Sequence, residues 1–547
     1  MAPEGLMKSA ADMGKRRAVL ESIALGVISL GTVLTWTYLE VRTFRVQPPF
    51  EDAAMLYRYA VQLAHGYGIA WNPGESPSVT DGATDLGFVL LLAPLIKLGM
   101  TPASAGVAIN LVAVFLQGSL LGVANVLFWG RRFVLTALLA LLIASGPVNR
   151  YVSGGFSPPV LGLLLSSTVV SILLAYRPSD TSAMHRRLWL AASGLLIGLA
   201  GWWRPEGFAM AVMLLVATVA ILYGIHAIRM SDFLWVMFPA GTALVAWMLF
   251  RILYIGQLLP TSAVMKVDAG LHWGNGPGSA LFIVGTLLPL LSIAAVFALF
   301  NRSPRFWIIL VLIFASSAMW VAVSLTMNWW NRMQWPLVPA IAVLTTLWIA
   351  NAATISGGSK VPVNFFRSWA ALGIAAVCMA TVHGSRGGGY FAAPFHTAVA
   401  ASLSEIDTTG VRLATSEAGL IPLAIRGHVL DTFGHNNRNI AESSGALLED
   451  TLKEFQPNII ILHGMTPPRL DQMGCGIAPF SPPWKNMVGT LYRFADAHGL
   501  DLLRSTATGL CDTWSVFVGQ DVSDPVRSAL LSYQMDGEEL IMKQTSN

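Results

Sequence analysis

The stretch Phe50–Asn72, FEDAAMLYRYAVQLAHGYGIAWN, follows the first long apolar run of the chain and begins with two adjacent acids, Glu51 and Asp52. Its apolar residues recur at helical spacing, which predicts an amphipathic helix lying along a membrane surface. Both acids then fall in the first turn, where the helix dipole favours anions. Two roles fit them: an ordinary helix cap, or a general base with an orienting or metal-binding partner that takes a proton from an acceptor hydroxyl.

The chain as a whole is too apolar for a soluble protein. Of its 547 residues 54% are hydrophobic and 12% are charged, and the mean hydropathy is +0.60. Runs long enough to cross a hydrocarbon core of ~30 Å predict a polytopic α-helical protein with about eleven spans. These runs are 18–40, 104–129, 133–149, 157–176, 188–203, 207–227, 233–254, 279–300, 306–326, 335–351 and 368–383.

The basic residues predict an orientation. Lys15, Arg16 and Arg17 precede the first run, which is too long for a signal peptide and has no small-residue cleavage site after it, so it is expected to remain as an anchor. Basic residues also gather in alternate loops. The amino terminus is therefore expected in the cytoplasm and everything after about residue 384 outside. The net charge of +4 mostly reflects this pattern and does not indicate nucleic-acid binding.

Residues 384–547 differ in composition from residues 1–383. Charges are frequent, and β-rich runs such as 411–417, 428–433, 457–464 and 514–519 alternate with helical runs such as 446–455. The sequence therefore predicts a transmembrane domain, 1–383, with its first outer loop at 41–103, followed by an extracytoplasmic α/β domain, 384–547.

The exported domain is expected to bind the acceptor polymer. Either its acids and His435 form a site of their own or four polar residues are structural turn residues, and their loop-like sequence favours the second interpretation. The four residues are Glu417, Asp431, His435 and Asn436. Cys475 and Cys511 are compatible with one disulfide in an oxidising compartment, and the sequence leaves that question open.

Several basic residues lie on the predicted outer face, where the charge rule does not explain them. They are Arg58, Arg150, Arg204, Lys266 and Arg332. Either they bind an anion at the outer leaflet, or they reach the interface and pair between helices.

A second surface or re-entrant helix is predicted at 81–98. Asp81 and Asp85 at its start either approach the first acid pair or cap the helix. Capping is the favoured interpretation.

Several blocks occur in order along the chain, all on the predicted outer face. They are Glu51–Asp52, YRYA at 57–60, WNPGE at 71–75, GATDLGF at 82–88, RPEG at 204–207, YIGQLLP at 254–260 with Lys266, and Asn331–Arg332; in the exported domain, SEAG at 416–419 and Leu430–Asp431 follow. Together they resemble the arabinofuranosyltransferase-like branch of the bacterial GT-C glycosyltransferases, which is related to mycobacterial terminal arabinosyltransferases. Two positions depart from that pattern. Glu51 replaces the usual first aspartate, and the usual tryptophan is missing around Asp85–Phe88.

The resemblance implies a bacterial inner-membrane enzyme that transfers a sugar, with inversion, from a polyprenyl-phosphate donor to an envelope glycan, lipid or protein acceptor on the outer face. Asp52 is the expected base and Glu51 its partner. Cations aimed at the leaving phosphate lower the barrier, and the candidates are Lys266, Arg204 and Arg332, in that order. The candidate substrate-binding residues are Arg58, Tyr57, Asp85, Glu206 and His272.

A divalent cation is left open, because acidic first loops bind one in part of the superfamily. The local oxygen ligands would be Glu51, Asp52, Asp81 and Asp85. The favoured interpretation requires no metal, since Asp52 can act as the base alone.

Two other classes of protein remain as alternatives. A secondary transporter is expected to show internal repeats and charges near the membrane midplane, and the sequence shows neither. A non-catalytic envelope-assembly protein with a glycan-binding exported domain is the other. No Walker or Rossmann glycine pattern is present, which suits a lipid-linked rather than a nucleotide-linked sugar. The sequence does not determine the sugar, the acceptor or the linkage.

Overall fold

A computed structural model describes most of the chain as a helical region followed by an α/β unit. The predicted run at 368–383 and the three cysteines, Cys378, Cys475 and Cys511, lie outside the described residues, so the disulfide question stays open. The described residues are 4–44, 51–77, 81–128, 133–145, 147–176, 182–223, 229–267, 270–301, 305–325, 328–355, 394–464, 482–507 and 513–532.

The region up to residue 355 is built almost entirely from helices. Its α-helices are α1 (Glu4–Phe44), α2 (Glu51–Ala64), α3 (Leu86–Lys97), α4 (Pro102–Phe128), α5 (Phe133–Ala144), α6 (Val148–Gly154), α7 (Pro158–Ala175), α8 (Ala183–Trp203), α9 (Pro205–Leu222), α10 (Met230–Phe250), α11 (Thr261–Val267), α12 (Asn275–Asn301), α13 (Arg305–Ala318) and α14 (Leu337–Ile355). A π-helix, Arg251–Ile255, continues α10, and short 3-10 turns occupy Met319–Ala322 and Trp329–Asn331.

These helices make the chain a multi-pass membrane protein. Six of the described helices, namely α1, α4, α7, α9, α10 and α12, are long and apolar enough to cross a bilayer. The shorter or less apolar α5, α8, α13 and α14 also coincide with predicted runs. The exact number of spans, predicted as about eleven, stays a prediction.

Close backbone approach packs the helical region. A Cβ on Gly122 of α4 would lie 2.4 Å from the Cα of Ser22 in α1, and a Cβ on Gly194 of α8 would lie 2.1 Å from the carbonyl oxygen of Val236 in α10. Only glycine permits contacts this short, which is the usual way that helices associate in lipid.

The C-terminal unit, residues 394–532, contains one mixed sheet flanked by helices. Its strand order is β2-β1-β3-β5-β4; β1 is parallel to β2 and β3, whereas β5 is antiparallel to both β3 and β4. The central strand has the sequence IIILH and is buried along nearly its whole length, as expected for a strand covered on both faces. In chain order the elements are α15 (Pro394–Ser404), β1 (Arg412–Thr415), α16 (Leu420–Ala424), β2 (His428–Asp431), α17 (Arg438–Glu442), α18 (Leu448–Phe455), β3 (Ile459–His463), α19 (Pro482–Ala497), β4 (Asp501–Ala507), β5 (Thr513–Val518) and α20 (Asp524–Leu531).

Helix α2 is not a surface helix. The prediction of a helix here is right, but its location is different: Tyr57, Arg58 and Tyr59 are all buried. The helix packs between α3 on one side and α16 of the C-terminal unit on the other. Its polar residues Arg58 and Gln62 are therefore buried within the protein.

Arg58 joins the two parts of the molecule. Its Nη1 donates to the carbonyl oxygens of Pro422 and Ile425, and its Nη2 donates to the carbonyl oxygen of Gly427 at 3.0 Å. Its Nε donates to the carbonyl oxygen of Trp71 at 2.8 Å. A buried guanidinium is tolerated only with such a set of acceptors. We call Arg58 and these acceptors the arginine clamp.

Next to the clamp, Asn72 pairs with the backbone of β2. Its side-chain Nδ2 donates to the carbonyl oxygen of Val429 at 2.9 Å, and its Oδ1 accepts from the Val429 amide at 2.7 Å. Tyr59 also donates to Asn436 Oδ1 at 2.9 Å. These bonds hold the first loop of the helical region against β2 and the turn that follows β2.

Candidate active site

A cavity lies between the first loop and the C-terminal unit. It encloses about 810 Å³ of space not filled by atoms, counting its open mouth. The helical region and the C-terminal unit each supply part of its lining.

Asp52 lies in the first turn of α2 and faces the cavity. Its Oδ2 accepts a hydrogen bond from Arg332 Nη2 at 3.0 Å. The Arg332 guanidinium also lies over the ring of Phe156, 4.3 Å from its centroid. Burial lowers the pKa of Arg332, and the charge of Asp52 opposes that shift. Glu51 begins the same helix, but its side chain lies outside the described residues.

The backbone before Arg332 adopts an uncommon conformation. Trp330 and Asn331 both have positive φ, 53° and 58°, although neither is glycine. The hydroxyl of Tyr151 donates to the carbonyl oxygen of Trp330 at 2.6 Å and supports the turn. Residues held in such regions cost free energy and gather at functional sites.

Arg204 lies at the corner between α8 and α9, where Pro205 starts the second helix. Its Nε is 2.7 Å from Glu206 Oε1 and 3.3 Å from Asp85 Oδ1. Arg204 and Asp85 line the cavity, whereas Glu206 does not. Glu206 therefore lies behind Arg204 and orients it.

Asp85 does not cap α3 with its side chain. It occupies the N-cap position, but its carboxylate makes no capping bond; it pairs with Arg204 and accepts a hydrogen bond from the hydroxyl of Ser157. The capping interpretation is therefore wrong for this residue. Asp85 instead shares the cavity wall with Arg204.

Lys266, on α11, completes the set of cations. Burial lowers its pKa to about 8, the nearby charges of Arg332 and Arg204 act in the same direction, and Asp52 opposes them. The ammonium group is therefore close to its titration point near neutral pH, unlike an exposed lysine.

Asp81 anchors the segment that carries Lys266. Its carboxylate accepts from Arg251 and from Gln257 Nε2, the latter at 3.0 Å, and its carbonyl oxygen accepts from the Thr261 amide at 2.8 Å. Arg251 opens the π-helix, a rare element that often marks functional sites.

The described acids of the first loop do not fit a metal site. Asp52, Asp81 and Asp85 each face a different arginine, and among the described side chains no three His, Cys, Asp or Glu converge. A hard cation needs several oxygen ligands around one point.

Four of the five predicted substrate-binding residues do not line the cavity: Glu206, described above, and Arg58, Tyr57 and His272. Arg58 is committed to the arginine clamp, the Tyr57 hydroxyl donates to the carbonyl oxygen of Gly155 at 3.2 Å, and the amide of His272 donates to the carbonyl oxygen of Val321 at 2.7 Å. Substrate contact by Arg58, Tyr57 and His272 stays a prediction, and their positions favour supporting roles.

The C-terminal unit contributes cavity residues for which the sequence favours a turn role over a site of their own. Asp431 is a turn residue: its Oδ1 accepts from the amides of Phe433 and Gly434, at 3.0 and 3.2 Å. Glu417 and His435, however, line the cavity together with Trp484. One signal could have indicated this, since the carboxyl ends of parallel strands meet at one edge of a sheet and form ligand crevices.

The arrangement can therefore support one kind of chemistry well. A carboxylate, Asp52, faces a cavity that three basic side chains, Lys266, Arg204 and Arg332, also line. The cations suit an anionic phosphate, and the carboxylate suits proton removal from a hydroxyl beside it.

Comparison with known proteins shows the fold. No family model matches the chain, and no curated protein matches it. Among solved structures, ArnT from Cupriavidus metallidurans bound to undecaprenyl phosphate is similar with a TM-score of 0.53 and 13% identity, over 91% of this chain and 98% of that one. The apo state of the same protein gives 0.50 and 14%, over 88% and 98%. The chain thus shares the fold of this membrane protein, whereas membership of the GT-C glycosyltransferases and of their arabinofuranosyltransferase-like branch stays a prediction.

Proposed function

We propose that this protein is a membrane glycosyltransferase that uses a sugar linked to a polyprenyl phosphate and transfers it to the hydroxyl of an envelope acceptor. The observation that carries the proposal is the convergence of Asp52, Lys266, Arg204 and Arg332 on one cavity. The fold shared with ArnT, whose structure contains undecaprenyl phosphate, supports the same class of donor.

In the reaction we propose, the acceptor hydroxyl loses its proton to the Asp52 carboxylate as its oxygen attacks the anomeric carbon. The bond from that carbon to the phosphate oxygen breaks, and the lipid phosphate leaves with the electron pair. Attack opposite the leaving group inverts the anomeric centre. Lys266, Arg204 and Arg332 stabilise the charge that develops on the phosphate, while Arg332 also holds Asp52 in place.

We also propose the orientation in which the cavity and the C-terminal unit lie outside the cytoplasm, in the inner membrane of a bacterium. The basic loops at the other ends of the spans support it through the positive-inside rule. At one of these ends, Arg186 pairs with Asp232, whose carboxylate also accepts from the Tyr176 hydroxyl at 2.9 Å.

Binding of undecaprenyl phosphate to the purified full chain in nanodiscs tests the donor class. Replacing Lys266 with methionine should weaken binding about tenfold or more, because a charge-assisted hydrogen bond to phosphate is lost. Lys453→Met is the matched control, since this lysine is half-exposed on α18 and distant in sequence from the cavity residues. Absence of saturable binding by the wild type, or equal affinity of the Lys266→Met variant, would contradict the proposal.

The lowered pKa of Lys266 predicts a pH dependence of donor binding. Lys266 is cationic below about pH 8 and neutral above it, whereas a phosphodiester donor keeps its charge across this range. Affinity for a sugar-bearing polyprenyl phosphate should therefore fall as pH rises from 7 to above 9. In the Lys266→Arg variant the profile should be flat, because arginine stays protonated. Identical profiles for the two proteins would show that Lys266 does not contact the phosphate.

A further inference from the structure

The walls of the cavity differ in charge. Its lysine and arginine residues, Lys266, Arg204 and Arg332, all come from the helical region. The residues that the C-terminal unit contributes include no lysine or arginine; they are Ser416, Glu417, Ala418, Gly419, Phe433, His435 and Trp484. The first wall also holds the carboxylates of Asp52 and Asp85, so its three cations leave one net positive charge, whereas the second wall holds the carboxylate of Glu417. A phosphate group would therefore be attracted to the first wall and repelled by the second.

The second wall is the carboxyl edge of the sheet. Glu417 follows β1, His435 follows β2 and His463 ends β3, and these three strands are parallel. In the sheet, β2 lies on one side of β1 and β3 lies on the other, so the order in which strands are added switches sides at β1. Open α/β sheets bind ligands at such a switch point. The edge used for binding in such sheets is therefore the edge that opens into this cavity.

The loop of His435 is held firmly, but the ring nitrogens have no polar partner among the described residues. Both ring nitrogens are shielded from solvent, and neither has a hydrogen-bond partner within the described part of the chain. Its loop is fixed from both sides: Asp431 Oδ2 accepts from the Asn436 amide at 2.8 Å, and a Cβ on Gly82 would lie 2.7 Å from the carbonyl oxygen of His435. An unpaired buried imidazole is costly unless a ligand satisfies it.

Glu417 is also positioned for a ligand. Its Oε1 lies 2.9 Å from His463 Nδ1, and the His463 ring stacks on Trp514 with centroids 4.1 Å apart. The pair thus orients the Glu417 carboxylate, which remains about one-fifth exposed, in the cavity wall. Trp484 and Phe433, whose ring centroids are 5.1 Å apart, add an apolar surface beside it.

Building on the glycosyltransferase function proposed above, we infer that this wall is a sugar subsite, in which Glu417 and His435 hydrogen-bond the hydroxyl groups of an uncharged sugar ring that packs on Trp484 and Phe433. A carboxylate accepts hydroxyl protons, and a neutral imidazole offers one donor and one acceptor, as a hydroxyl does. Burial lowers the pKa of His435, which keeps the imidazole neutral at neutral pH. The sugar can belong to the donor or to the acceptor, since both carry the same chemistry.

Binding by the full-length protein in nanodiscs distinguishes these sources. The probes are undecaprenyl phosphate, synthetic undecaprenyl phosphates carrying one pentofuranose or one hexopyranose, and soluble oligosaccharides released from the envelope. The variants are His435→Leu, His435→Gln and Glu417→Gln. The matched control is His428→Leu, because His428 is exposed at the start of β2, the strand that precedes the His435 loop.

If the wall holds the donor sugar, the wild type should prefer a sugar-bearing lipid over undecaprenyl phosphate, and His435→Leu should lose about tenfold or more of that preference. If it holds the acceptor sugar, oligosaccharide binding should fall instead. In either case the affinity for undecaprenyl phosphate should stay unchanged, and His435→Gln should recover part of the loss. The melting temperature of His435→Leu should not fall, because no hydrogen bond within the described chain is removed.

The inference is overturned if His435→Leu and Glu417→Gln keep both the lipid preference and the oligosaccharide affinity of the wild type, or if His428→Leu matches their losses. A lowered melting temperature without any change in sugar binding would assign His435 a structural role. Failure of the wild type to bind undecaprenyl phosphate would count against the proposed function separately, because oligosaccharide binding would still report on the wall.

Discussion

Replacing Asp52 with asparagine should lower the rate of sugar transfer by a factor of about 10² to 10⁴, the usual contribution of a general base. Asparagine has the same shape and can still accept from Arg332, whose Nη2 lies 3.0 Å from Asp52 Oδ2, but it cannot take the proton of the acceptor hydroxyl. Transfer from a sugar-bearing undecaprenyl phosphate to an envelope glycan, followed by mass spectrometry, would measure the loss.

Two controls make this result specific. Asp450→Asn removes a carboxylate that is 76% exposed on α18 and should leave transfer unchanged. The Asp52→Asn variant itself should bind undecaprenyl phosphate at least as tightly as the wild type, because an anion beside Arg332 has been neutralised. If the variant transferred sugar at the wild-type rate, Asp52 would not be the base. If the variant lost both sugar transfer and undecaprenyl phosphate binding, the cause would be damaged folding.

Replacing Arg58 with leucine should detach the C-terminal unit from the first loop. The change removes the four hydrogen bonds to backbone carbonyl oxygens and a fifth from Nη2 to Asn72 Oδ1, and it leaves buried acceptors without donors. The expected cost is about 1 kcal/mol or more for each buried acceptor left unsatisfied. A lower unfolding temperature and faster proteolysis of the C-terminal unit, residues 394–532, would report the detachment.

The companion variants separate this effect from a simple loss of charge. Arg58→Lys should recover only part of the stability, because an ammonium group has three donors and lacks the planar fork of the guanidinium. Arg412→Leu is the matched control, since Arg412 is exposed on β1. A fully stable Arg58→Leu protein would show that the clamp does not hold the two parts together.

Local sequence patterns predict where the helices lie better than they predict what each helix packs against. Hydrophobic runs located the described spans, since the bilayer requires apolar helices whatever their neighbours are. The spacing in α2 predicted a helix, but the sequence could not show that its polar face meets a protein surface that begins 364 residues later, at Pro422. Arg58 was therefore expected to contact substrate, although its acceptors are mostly backbone carbonyls, which leave no mark in sequence.

The same limit applied to the site. The cations on the predicted outer face stand out in the sequence because they depart from the charge rule, and Arg204, Lys266 and Arg332 do line one cavity. The sequence favours a turn at His435 because Gly434 and the following asparagines are typical of a loop, and Asp431 does accept hydrogen bonds in such a turn. The structure packs this turn against Gly82 and places His435 in the cavity lining, and a contact between such distant segments cannot be predicted from local sequence.

The position of the second wall has a consequence for biosynthesis. The base that we propose, Asp52, lies near the start of the chain, whereas Glu417 and His435 lie near the other end. During synthesis, the residues of the first wall, which include Lys266, Arg204 and Arg332, are therefore made before the residues of the second wall. On the proposed function, a nascent chain can hold a lipid donor without being able to orient its sugar, so competence for transfer arises only when the last strands have folded and docked.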